Sequence, residues 1–116
     1  MKSLTPIELT NYNFLVDAMV RMRVVSFMYQ DENDSMPFLQ VVEPFMIGDN
    51  SKTMITELLG WSLVTDPEKA SAHSCWRLYV LNKILELDVT EGKFDRNRPM
   101  TGTGYPDLLL PVRAYV

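Results

Sequence analysis

The chain is poor in the side chains that most chemistry requires. Among its 116 residues there is one cysteine, Cys75, and one histidine, His73. A lone cysteine excludes an internal disulfide, and beside Trp76 in an apolar run it reads as a small buried hydrophobe. One histidine and one cysteine are too few ligands for a zinc site, so no metal or cofactor is expected and His73 reads as a solvated loop residue. Glycine is also scarce, at five residues, and no phosphate loop, dinucleotide-binding glycine pattern or nucleophile elbow occurs. The carboxylates fall mainly in turns, not as a pair that one pocket could hold. No catalytic residue is assigned, and the sequence reads as non-enzymatic.

Long apolar runs are missing too. No window approaches the roughly 20 apolar residues of a membrane span, and MKSLTPIELT at the start lacks the core of a secretory signal. Cytoplasmic residence with no membrane partner is the expectation. A basic excess is absent as well: 11 Lys and Arg stand against 15 Asp and Glu, for a net charge of −4. Binders of duplex phosphate normally carry the opposite balance. What is present is a composition 47% apolar and 22% charged, suited to one core, so residues 1–116 are read as a single domain.

Thr5-Pro6-Ile7-Glu8 combines an N-cap hydroxyl, a proline at the first helical position and a glutamate at the third. A helix is predicted over about 5–22, with Ile7, Phe14, Leu15, Ala18 and Met22 as its apolar stripe. From residue 23 the texture changes to short β-favouring runs separated by turn residues. RVVSFMY is the first predicted strand; QDENDS forms a loop; PFLQVV is the second strand, ended by Glu43-Pro44 because proline lacks a ladder donor. TMITELLGW is the third, with Gly60 as a bulge or bend and Met54 and Leu58 facing away from Ile55 and Leu59. Residues 62–74 are a mobile-loop candidate. CWRLYV and LELDV are the fourth and fifth strands, joined by a single helical turn at Leu81-Asn82-Lys83-Ile84. LLLPVRAYV offers a last edge strand. The fold class is mainly β with an N-terminal helix (α+β), and five short strands with so tight a turn suit a small, strongly bent barrel over about 23–98, followed by an extension over 99–116.

The order of these residues resembles the WYL-domain family over about residues 20–98. Tyr29 matches the tyrosine that ends the family's early strand, and Val42-Glu43-Pro44 its acidic-proline corner. Arg77-Leu78-Tyr79 and Asn82-Lys83-Ile84 match its Arg-x-Phe-x-x-Asp-Arg-Ile segment, and Phe94 its closing phenylalanine. Thr53-Met54-Ile55-Thr56 stands in place of the name-giving tripeptide, Gln40 in place of an arginine, and Val80 at a commonly basic position. The resemblance implies a small Sm-like, Src-homology-3-like five-stranded barrel with an N-terminal helix. It also implies a regulatory role in bacterial transcription through a bound ligand or nucleic acid. A copy with no helix-turn-helix attached is expected to act by binding another molecule or as a subunit.

The ligand-binding candidates are Arg77, Lys83, Tyr79, Gln40 and Arg96. Arg77 and Lys83 could jointly hold a phosphate or other small anion, or could pair with Glu43, Glu86 or Asp88 as rim charges. KFDRNR, with Arg96 and Arg98 near Phe94, could stack and contact single-stranded nucleic acid, or Phe94 could plug the core. Trp76 reads as core, and Trp61 as core or an interface anchor. The eight methionines, among them Met19, Met22, Met28 and Met54, are core filler or a helix-face dimer contact. Two functions stay open: a non-enzymatic module sensing a nucleotide, single-stranded nucleic acid or another small anion, and a structural module that has lost the ligand site and assembles with itself or a protein partner.

Overall fold

Thr5 opens the helix as its residue type dictates. Its hydroxyl accepts the Glu8 N–H at 3.2 Å while the Glu8 carboxylate accepts the Thr5 N–H at 3.2 Å, satisfying two donors that no helical carbonyl reaches. Helix α1 runs from Pro6 to Arg21 and closes on Met22, which adopts a left-handed φ of 54°. The computed structural model describes residues 4–32, 34–64 and 76–95, and the backbone of 108–113. The predicted loop beyond residue 64, with His73, lies outside the described residues, as do Cys75, Arg96 and Arg98.

The buried face of α1 differs from the predicted stripe. Leu15, Ala18 and Met19 are buried, whereas Ile7 and Phe14 are exposed and Met22 serves as the cap. Tyr12 and Val16 also pack against the core, so the packed arc extends from Leu15 toward Met19 and Val16, and Ile7 and Phe14 lie about 80–100° from Leu15 on the other side at 3.6 residues per turn.

Six strands follow: β1 (Arg23–Tyr29), β2 (Phe38–Asn50), β3 (Thr56–Ser62), β4 (Trp76–Val80), β5 (Ile84–Lys93) and β6 (Leu108–Arg113). They pair antiparallel in the order β4-β3-β2-β1-β5, and β6 adds to β2. The third strand starts at Thr56, later than predicted, because Met54 holds a left-handed φ of 59° in the preceding turn. Leu58 and Leu59, consecutive on the strand, are both buried, so both faces of the sheet are covered there.

The largest departure is at Glu43-Pro44, where the predicted strand end is instead the middle of β2. One edge of β2 pairs with β1 through Val42 and with β6 from Met46 onward. Pro44 falls in the gap between those ladders, where that edge has no strand partner among the described residues, and the register with β3 shifts between Pro44 and Met46. A proline is accommodated at such a bulge because no ladder donor is required of it. Opposite Pro44 stands Gly60; a β-carbon there would collide with Cγ1 of Val42. The close approach of two backbones explains the glycine.

The sheet is curled. A flat five-strand sheet sets its outer strands about 19 Å apart, but β4 and β5, at opposite ends of the order, are joined by the three-residue 3-10 turn Leu81–Lys83, which advances only about 6 Å. No ladder joins β4 to β5 among the described residues. Instead the Val80 N–H, at the end of β4, donates to the Tyr29 hydroxyl of β1 at 2.9 Å. The core fills the inside of the curl, with Val25, Phe27, Val42, Ile47, Leu58, Tyr79 and Ile84 at its centre and α1 laid against it.

Candidate functional site

Inward-facing positions of β1, β2 and β4 meet where the curled sheet turns back on itself. Tyr79 is fully buried, and its hydroxyl donates to Oε1 of Gln40 at 3.0 Å. Ser62 is a polar neighbour of that hydroxyl that favours its ionised form. Three rings surround the contact edge-to-face: Phe27 and Tyr29 lie 5.0 and 5.1 Å from Tyr79, and 6.2 Å from each other. Such geometry aims the positive edge of one ring at the negative face of the next. Two of the sequence candidates, Gln40 and Tyr79, are thereby brought together from positions 39 residues apart, and both point into the protein interior.

Arg77 is two residues from Tyr79 on β4, hence on the same face, but nearer the rim. It is exposed, and its guanidinium carbon lies 5.7 Å from the centre of the Tyr79 ring. That is the range of a cation–π contact. Among the described residues Arg77 forms no ion pair, and the contact with the ring restricts its side chain. Burial pushes the Tyr79 hydroxyl above its usual 10.0; the nearby Arg77 charge and the Ser62 side chain pull it partly back. Burial likewise raises Tyr29, opposed by the Val80 N–H and, more weakly, by Arg77. Both phenols are neutral at physiological pH, Tyr79 donating to Gln40 and Tyr29 accepting from Val80.

Lys83 belongs elsewhere. It lines an open hollow of about 380 Å³ with Asp31, Glu32, Asp34 and Leu85 among its walls, and its ammonium lies 3.9 Å from Glu32. Neither Arg77 nor Lys83 takes Glu43, Glu86 or Asp88 as an ion partner among the described residues; Lys83 pairs with Glu32 instead. Three carboxylates around one lysine disfavour a second anion there. Phe94 packs half-buried against the core, and its N–H donates to the Met22 carbonyl at 3.0 Å, anchoring the end of β5 to that of α1. Trp61 and Trp76 stack edge-to-face at 5.3 Å, with Phe45 at the same distance from Trp76.

Two features escaped the sequence. Ser62 carried no motif that marked it as a neighbour of the Tyr79 hydroxyl. The acid-rich run after Tyr29 was visible only as a turn, since its approach to Lys83 spans about 50 positions and depends on the curl.

No family profile matches the chain, and no curated protein does. A solved structure shares its fold. Proteasome accessory factor B/C (PafBC) of Arthrobacter aurescens superposes with a TM-score of 0.59 at 20% identity, over 73% of this chain and 12% of that one. The aligned stretch is thus a small part of PafBC, and the likeness supports a WYL-like fold. Among the described residues no helix is long and apolar enough to cross a membrane.

Proposed function

We propose that this chain is a non-enzymatic regulatory module of the WYL type, built on a small Sm-like barrel, in which Arg77 receives an anionic ligand. The ligand class is a nucleotide, single-stranded nucleic acid or another small anion, and the setting is cytoplasmic transcriptional regulation. One observation carries the reading: an exposed guanidinium without an ion partner among the described residues is held over a buried tyrosine that Gln40 pins in place. A charged fork restricted in this way loses less freedom when it binds than one on a mobile surface chain. The shared fold with PafBC and the match of Tyr29, Arg77 and Phe94 to the family pattern support the same assignment. Gln40, Tyr79 and Lys83 act indirectly in this reading: the first two orient Arg77, and Lys83 is held by its acidic neighbours. Arg96 is a further contact if the ligand is a nucleic-acid strand.

The test is thermal unfolding of the chain with inorganic phosphate, with ATP and with a short oligothymidylate. A ligand at 100 times its Kd stabilises the folded state by about 2.7 kcal/mol. The expected result is a salt-sensitive rise in Tm with at least one probe, abolished by Arg77→Ala and retained by Lys83→Ala. A rise that survives Arg77→Ala, or no rise with any of the three, overturns the assignment.

A further inference from the structure

The outer face of the sheet, opposite the Tyr79 cluster, carries a second feature. Met28 pairs with Leu39 on one side and with Leu85 on the other, so the three side chains form a row across β2, β1 and β5. Strand alternation turns this row away from the inward-facing Phe27 and Tyr29. Leu39 and Leu85 are 56% and 50% exposed. A contiguous apolar surface of this kind marks a contact site when polar groups rim it, and on one side that rim carries three carboxylates and one lysine. Leu85 also lines the hollow that holds Asp31, Glu32 and Asp34, and the single lysine in that hollow is already engaged by Glu32.

Charge selects the occupant. Nucleic acid and anionic lipid surfaces are repelled by surplus carboxylates, and a second copy of a chain with net charge −4 brings more of the same sign. A cationic segment gains both terms at once: an apolar side chain covers the row while a lysine or arginine enters the hollow, where carboxylates accept its N–H donors. We infer that this row and the adjoining acidic hollow form a docking site for a basic, apolar-anchored segment of a protein partner. The site lies apart from Arg77 and stands whether or not an anion binds there.

The experiment is a titration of the full chain followed by amide chemical shifts. The probe is a capped peptide, Lys-Leu-Lys-Trp-Lys-Leu-Lys, compared with one in which Glu replaces every Lys and one in which Ser replaces Leu and Trp. The basic apolar peptide is expected to shift amides around Met28, Asp31, Leu39 and Leu85 and to leave α1 unmoved. Each control peptide is expected to bind about tenfold more weakly, since it loses either the rim charges or the anchor. Asp31→Asn with Glu32→Gln, both exposed, is expected to weaken the basic peptide about fivefold and flatten its salt dependence. Leu39→Ser with Leu85→Ser is expected to abolish the shifts while the rest of the spectrum stays native. Equal binding of the acidic peptide, shifts centred away from the row, or no shift at millimolar peptide would overturn the inference.

Discussion

Replacing Tyr79 by phenylalanine removes one oxygen from the centre of the protein and almost no volume, so its cost isolates a hydrogen bond from packing. Gln40, whose side-chain carbonyl accepts that bond, is 7% exposed as a residue, and water cannot readily take the place of the lost donor. A buried acceptor left without its partner costs about 1–3 kcal/mol. Gln40→Met preserves the length of the side chain and removes the acceptor of the buried Tyr79 hydroxyl, which keeps Ser62 as a polar neighbour, for about 1 kcal/mol. In the double variant both ends are apolar and neither is stranded. Its destabilisation is therefore expected to fall short of the sum of the two single costs by about 1–2 kcal/mol. Urea unfolding at constant m-value measures all three; in a heat scan each kcal/mol corresponds to about 4 °C in a domain of this size. Single costs that add to within about 0.5 kcal/mol would refute the reasoning, because they would show that the hydroxyl and the amide do not recognise each other.

The same burial sets an alkaline limit. Tyr29 and Tyr79 have folded-state pKa values raised above 10.0, so the stability linked to their neutral forms is fully present below pH 10 and is lost as pH rises above it. Absorbance at tyrosinate wavelengths is expected to report these two phenols only together with unfolding, and ionisation of all five tyrosines before any loss of structure would contradict their placement. At Gly60 an added methyl collides with Val42, so Gly60→Ala is expected to cost about 1–3 kcal/mol. Val42→Ala alone costs about 2 kcal/mol but makes room, and the pair should be more stable than the sum implies in the same urea assay.

Much of the local structure was legible in residue types. Thr5-Pro6-Ile7-Glu8 set the start of α1 to the residue, because a capping box satisfies its own donors and depends on nothing distant. The span of β1 and the turn at Leu81–Lys83 followed from alternation and from a linker too short for anything longer. The strand end predicted at Pro44 failed for a complementary reason: proline forbids a donor, but only the arrangement of β1 and β6 along β2 shows that no donor is required there. The stripe on α1 was misplaced because periodicity ranks apolar residues without saying which arc the sheet will meet.

The site divides along the same line. Composition alone disfavoured a zinc centre and a nucleotide-phosphate loop, and the spacing of Arg77, Tyr79 and Lys83 singled them out as a group. Tertiary structure separated them. The curl of the sheet carries Tyr79 inward to Gln40, leaves Arg77 at the rim above the ring and sends Lys83 into a hollow among acids. Short-range rules concern neighbours within a few residues, where the backbone fixes distance. Electrostatic partners across about 40–50 positions are set by strand order and curvature, and those exist only once the whole sheet has formed.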